Sequence, residues 1–162
     1  MDRKTRSVMF SSATDEWATP QSIFDKLNKK YNFTLDPCCT HANAKCEKHY
    51  TIEEDGLSQS WAGESVFVNP PYSNIADWVK KAHYESTENG ATVALLIPSR
   101  TDTKYWHDYI MESASTIYFI KGRVKFESAN KENKNSAPFP SAVIVFGEYS
   151  WSPGIRLKTM ER

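Results

Sequence analysis

Along this chain the apolar positions come in short blocks whose spacing shifts from every residue to every third or fourth residue and back, the pattern of alternating strands and helices. Ile23, Phe24 and Leu27 share one face of a helix over 20–30, opened by Thr19 as N-cap and Pro20 at the first helical position. Phe33-Thr34-Leu35 follows as a short strand that Pro37 stops, which leaves Asp36 at its carboxyl end. Val66-Phe67-Val68 reads as a buried strand over 65–68. Ile75, Trp78, Val79 and Ala82 then fall at i, i+3, i+4 and i+7 of a helix that Ser73 or Asn74 caps and Asn89-Gly90 closes. The unbroken apolar run 92–97, ended by Pro98, predicts a strand in the middle of a parallel sheet. Tyr105, Trp106, Tyr109 and Ile110 share a face of a helix over 102–112, and 116–120 and 142–146 are the remaining strands, the latter the last of the core.

Strand, helix, strand, helix, strand is the order of a doubly wound α/β fold with a mostly parallel central sheet flanked by helices. Residues 1–15 are polar and aperiodic and read as a flexible arm, 16–148 as one domain, and 149–162 as a carboxyl-terminal tail. The stretch 37–63 is too long for an ordinary loop. With a helical turn expected at 42–48, it reads as the shortened remnant of a crossover that wraps a ligand instead of covering the sheet. Gly122 turns the chain into 123–127, and a polar insert then runs to Pro140.

A chain of 162 residues, 40% hydrophobic and 13% aromatic, builds one core and leaves no room for a separate recognition domain. Twenty basic and twenty acidic side chains cancel, so net charge does not mark a nucleic-acid binder. Charge is uneven, however: Arg3-Lys4-Thr5-Arg6, and Lys121, Arg123, Lys125, Lys131 and Lys134, each fit a phosphate-facing patch or a solvated surface equally well. No run approaches the roughly 18 apolar residues of a membrane span and no signal-peptide core opens the chain, so no membrane partner and a cytoplasmic location are expected. Cys38, Cys39 and Cys46 are an odd number and imply no disulfide framework; with His41 and His49 they miss the usual zinc-ligand spacing, so no metal is expected. The absence of G-x-G-x-x-G and of G-x-x-x-x-G-K-[ST] argues against a nicotinamide or nucleoside triphosphate enzyme.

Chemistry concentrates at Asn69-Pro70-Pro71-Tyr72, directly after the strand 65–68. Ligands of open α/β sheets bind outside the carboxyl ends of strands. There the Asn69 and Pro70 carbonyls can both accept from one –NH2 group, a proline brings no competing N–H, and Tyr72 offers a stacking face. The plainer alternative is that Pro-Pro ends a strand and Tyr72 packs.

Asn69-Pro70-Pro71-Tyr72-Ser73 resembles the catalytic motif of S-adenosylmethionine-dependent amino-methyltransferases. Together with Glu16-Trp17-Ala18-Thr19-Pro20-Gln21, Leu35-Asp36-Pro37-Cys38, Asp55-Gly56-Leu57 with Trp61, and Gly122-Arg123-Val124-Lys125-Phe126, it resembles the small phage and prophage DNA N6-adenine methyltransferases over residues 11–147. The resemblance implies a truncated Rossmann-like fold, S-adenosylmethionine as methyl donor and a flipped-out adenine of double-stranded DNA as acceptor. It implies Asn69 to Tyr72 as catalytic residues, with Trp17, Thr19, Pro20, Asp36, Pro37, Asp55 and Asn69 around the cofactor. On this reading Ser73, Arg100, Arg123 and Lys125 meet DNA, the insert 121–140 reads sequence with Asn130, Asn133 and Asn135, and Phe126 or Phe139 either backs the extruded base or packs the core. One departure stands out: Pro-Cys-Cys-Thr-His-Ala follows Asp36, without the glycine that lets backbone approach a nucleotide. The same motif chemistry serves RNA or a glutamine amide, and a DNA-binding module that has lost its cofactor is the non-catalytic alternative. Target sequence and oligomeric state, monomer or homodimer, stay open.

Overall fold

The computed structural model describes residues 18–127 and 136–162. Its centre is a seven-stranded sheet of β1 (Leu35–Asp36), β2 (Lys48–His49), β3 (Ser65–Val68), β4 (Thr92–Pro98), β5 (Thr116–Lys121), β6 (Ser141–Phe146) and β7 (Arg156–Glu161). Spatial order is β2-β1-β3-β4-β6-β5-β7. β2, β1, β3 and β4 run parallel, as do β5 and β7, whereas β6 is antiparallel to both of its neighbours. The mixed α/β fold expected from the sequence is present, with one change in its middle: β4 has a parallel partner on one side and an antiparallel one on the other. A wholly apolar strand reports burial on both faces, which is equally true of either direction.

Alternation within each strand divides the core between two faces. Val93, Leu95 and Ile97 pack with Val66, Val68, Ile144 and the inward side of α2 (Ile75–Glu88). Ala94 and Leu96 face the other way, onto Phe67, Val143, Val145 and the Ile23, Phe24 and Leu27 side of α1 (Gln21–Tyr31). Each large apolar side chain so buried contributes about 1.5–3 kcal/mol, which is why these two helices stay on the sheet. α2 buries Ile75, Trp78, Val79 and Ala82, the four positions its spacing picks out, and adds Glu85.

The structure departs from the sequence reading at several element ends. Thr19 does not cap α1; Pro20 holds the N-cap position without a side-chain bond, and Thr19 is buried. The first strand is shifted to Leu35–Asp36. No helical turn forms at 42–48, where the chain supplies the short parallel strand β2 instead. The helix expected over 102–112 forms over 104–113, but its middle, Trp106–Ile110, is π-helical and leads into the short α3, Met111–Ser113. β6 is the last buried strand, but the sheet does not end there: the stretch read as a tail contains the mostly exposed β7, which pairs with β5 along its whole length.

Topology places the functional crevice. From β1 the chain turns to one side to form β2, and from β3 it crosses to the other side to form β4, while β1 and β3 are themselves neighbours. A crevice at the carboxyl ends of strands where the winding direction reverses is the usual ligand position of such sheets. Asp36 ends β1, and Asn69 follows β3 directly.

Candidate active site

Two hollows meet at that switch point. The first is bordered by Thr19, Asp36, Asn43, Lys45, Phe67 and Asn69, with Ala18, Cys38, Cys39 and Pro71. The second is bordered mainly by Ile52, Asp55, Gly56, Leu57 and Trp78, and shares Cys38, Cys39 and Pro71 with the first. They form one bent groove with a polar half and an apolar half, and Pro71 of the Asn-Pro-Pro-Tyr motif stands at the bend.

Asp36 shapes the polar half. It is only 3% exposed. Its Oδ1 accepts the Cys38 N–H at 3.3 Å and its Oδ2 the Lys45 N–H at 3.0 Å, so one carboxylate ties down both ends of the loop after β1. Burial pushes its pKa up, and the Lys45 and Cys38 N–H groups offset that only in part. Asn43 closes the loop reciprocally with Thr40: its Oδ1 accepts the Thr40 N–H at 2.7 Å, and its own N–H reaches Thr40 Oγ1 at 3.2 Å.

The chain after Asp36 has its close backbone contact with Gly56, where a Cβ would lie 2.0 Å from the Pro37 carbonyl oxygen. Asp55 before it takes a left-handed conformation, φ 54°. Its Oδ1 accepts the Leu57 N–H at 3.2 Å, so Asp55 makes the turn as well as bordering the apolar half. Trp61 Nε1 holds the Gly56 carbonyl at 3.0 Å and stacks on Trp78 at 6.2 Å between centroids, which fixes the apolar wall.

Beyond Pro71 the motif enters a 3-10 turn, Tyr72–Asn74, that leads into α2. Tyr72 stands edge-on to Phe139 at 5.0 Å and to Phe126 at 6.5 Å, and the Arg100 guanidinium lies over the Phe139 ring at 5.6 Å. Burial drives the Tyr72 hydroxyl pKa upward, with Arg100 opposing weakly, so the phenol stays neutral and cannot serve as a base. In the segment after Gly122, Val124 and Phe126 point inward while Arg123, Lys125 and Glu127 are exposed. Lys125 bridges to Ser136, and Glu127 exchanges both backbone hydrogen bonds with Ala18, at 2.9 and 3.0 Å. The amino-terminal segment bordering the polar half is therefore sewn to the edge of the insert.

Of the residues singled out in the sequence, the crevice brings together Thr19, Asp36, Pro37, Asp55, Asn69 and Pro71, with Pro70 buried between the last two. Arg100 joins Tyr72 on its outer side. Pro20 instead starts α1, Ser73 is exposed on the 3-10 turn, and Arg123 is exposed with its carbonyl bonded to Arg162 at 3.3 Å. Trp17, the arm 1–15 and Asn130, Asn133 and Asn135 lie outside the described residues. Asn43, Lys45, Ile52, Leu57 and Trp78 were not singled out as site residues. Only Trp78 carried a signal, as a large aromatic at the groove end of an otherwise ordinary helical face. Among the described residues no three His, Cys, Asp or Glu side chains stand close enough to hold a metal ion. Burial pushes all three thiols up, Cys46 to about 12.

Comparison with known proteins identifies the group to which such a crevice belongs. The family model for DNA N-6-adenine-methyltransferase (Dam) matches residues 6–162. The DNA N-6-adenine-methyltransferase of Haemophilus phage HP1 (strain HP1c1) is 30% identical over 139 residues, covering 83% of this chain and 80% of that protein. The enzyme of the same name from Escherichia phage T1 is 32% identical over 109 residues, 66% of this chain and 45% of that protein. The putative methyltransferase YfdM of Escherichia coli (strain K12) is 37% identical over 65 residues, 36% of this chain and 71% of that protein. With its motif at the switch point of the sheet and a family match that spans nearly its whole length, the chain belongs to the DNA N-6-adenine-methyltransferase (Dam) family.

Proposed function

We propose that the chain methylates N6 of an adenine turned out of double-stranded DNA, with S-adenosylmethionine as the donor. The observation that carries the reading is the bent groove itself: a polar half with a buried carboxylate, an apolar half with an aromatic wall, and the Asn-Pro-Pro-Tyr motif at the bend. That division matches a ligand with a charged amino-acid tail at one end and an adenine at the other, so the residues present fit the donor. Asp36 faces the ammonium, and Ile52, Leu57 and Trp78 sandwich the adenine, with Asp55 at its polar edge. Bound in this way, the donor supplies a methyl group on an electron-poor sulfonium.

The chain's residues do the rest by positioning and electrostatics. The Asn69 side-chain carbonyl and the Pro70 carbonyl accept the two N6 hydrogens, which turns the nitrogen lone pair out of conjugation with the ring and toward the bend. Neutral Asn69 serves because its task is to accept hydrogen bonds: once the methyl–sulfur bond has broken and the methyl–nitrogen bond has formed, N6 is acidic and gives up its extra proton to solvent. Tyr72 stacks on the base, and Phe139 and Arg100 brace it from behind. Unstacking the target costs a few kcal/mol, which aromatic contact offsets. Phosphates fall to Arg123 and Lys125, exposed on the segment that carries Phe126, and to Ser73 at the foot of α2.

The test is transfer of labelled methyl from S-adenosylmethionine to unmodified duplex DNA, followed by nucleoside analysis. N6-methyladenine is expected. Label in RNA or in a glutamine side chain, but not in DNA, overturns the assigned substrate; donor binding without transfer to any of these overturns the catalytic reading.

A further inference from the structure

The polar half of the groove contains a charge that the reading above leaves unused. Lys45 borders it together with Thr19, Asp36, Asn43 and Asn69. Its backbone N–H is held by Asp36 Oδ2 at 3.0 Å, which fixes where its side chain leaves the loop. Its Nζ donates to Gln21 Oε1 at 2.8 Å, in the first turn of α1 and two residues from Thr19. Gln21 is itself oriented by a bond from its Nε2 to Asp25 Oδ1 at 2.8 Å. An ammonium has three hydrogens, so two remain to be given. Among the described residues Lys45 makes no ion pair, with Asp36 or with any other acid. One small hollow thus has an anion anchored by backbone N–H groups and a cation anchored by a glutamine, and the two are held apart instead of neutralising each other.

Two opposite charges kept separate at one cavity suit a ligand that carries both charges on neighbouring atoms. We infer that Lys45 takes the α-carboxylate of the donor's amino-acid tail while Asp36 takes its ammonium, so that the groove selects for an intact zwitterion. This assignment rests on the donor reading given above and adds to it the group that recognises the carboxylate. It also gives the loop 37–47 a reason for its irregular course. A helix there would send residues 36 and 45 to unrelated places, whereas the loop folds back so that the backbone of one carries the carboxylate of the other.

Three ligands separate the possibilities: S-adenosylhomocysteine, with both charges; decarboxylated S-adenosylmethionine, which keeps the ammonium; and 5′-methylthioadenosine, with neither. Their dissociation constants are measured by calorimetry on the full chain and on Lys45→Met and Lys45→Arg, with thermal melting as the check on folding. Lys45→Met is expected to weaken S-adenosylhomocysteine by about tenfold to a hundredfold while the two carboxylate-free ligands stay within about twofold, and Lys45→Arg is expected to recover most of the loss. An equal loss for all three ligands makes Lys45 only a tether between the loop and α1, and overturns the inference. Unchanged S-adenosylhomocysteine binding overturns it as well. If the unaltered chain binds none of the three, the donor reading itself falls; if it binds them and Lys45→Met is indifferent, the Lys45 assignment alone falls.

Discussion

Asp36 and Glu85 are both almost inaccessible, 3% and 1% exposed, yet their surroundings are opposite. Burial pushes the Glu85 pKa up, but the Lys81 ammonium at 2.6 Å, the Asn89 amide at 3.0 Å and the Trp61 N–H at 3.1 Å outweigh it and bring it below the usual carboxylate range. Glu148 is handled in the same way, with Lys30 at 2.9 Å and Arg156 at 3.0 Å. Asp36 has backbone N–H groups and, among the described residues, no ion pair; burial dominates over those N–H groups and the smaller effect of His49, and its pKa is raised. A buried acid supplied with its counter-charge is part of the framework. One left without it, at the edge of a cavity, is stabilised when a ligand brings the charge.

That contrast can be broken from either side. Glu85→Ala is expected to destabilise the fold by about 3 kcal/mol, because it leaves Lys81, the Asn89 amide and a buried N–H without their acceptor. Urea denaturation reads this directly, and a loss under about 1 kcal/mol would erase the distinction. Asp36→Asn is expected to change stability less than Glu85→Ala does, since removing an uncompensated charge offsets the acceptor lost by one of the two N–H groups. Its S-adenosylhomocysteine affinity is expected to fall by about tenfold to a hundredfold, and a large fall in stability without a fall in affinity would place Asp36 in the framework.

A smaller effect comes from pH. The unliganded Asp36 carboxyl has a raised pKa, and an ammonium beside it lowers that pKa again, so binding releases a proton in the window between the two values. S-adenosylhomocysteine affinity should therefore decline as pH falls through the raised pKa, above the ordinary 3.8, and level off at higher pH. Calorimetry from pH 8 downward toward 3.8, over the range in which the chain stays folded, checks this, with 5′-methylthioadenosine as the comparison expected to vary little. For the free protein the sign is the reverse. Native Asp36 holds its proton more tightly than unfolded Asp36, so that contribution to stability is complete below the unfolded pKa and is lost as pH rises through the folded one.

The sequence made the site legible where covalent structure restricts the chain. Prolines stop β1 and follow β3, so Asp36 and Asn69 had to stand at strand ends, and the i, i+3, i+4, i+7 spacing of α2 needed only the sheet to pack against. What escaped was set by pairing between distant segments. β7 is a mostly exposed strand, Arg156–Glu161, without an apolar pattern, and it exists because β5 offers it a full ladder. β6 inserts antiparallel between β4 and β5, a direction that a fully buried sequence does not encode. Lys45 looked like one more loop lysine, because only the fold brings its backbone to Asp36 and its side chain to Gln21. Gly56 likewise meets Pro37 across a 19-residue separation in sequence.

The most direct test of the account is single-turnover methyl transfer to duplex DNA by Asn69→Ala, with donor binding measured on the same preparation. Loss of N6-methyladenine formation by about a hundredfold to a thousandfold, with the fold and donor affinity retained, is the result the account requires. Undiminished turnover in that variant would contradict it, since the Pro70 carbonyl that remains accepts only one of the two N6 hydrogens.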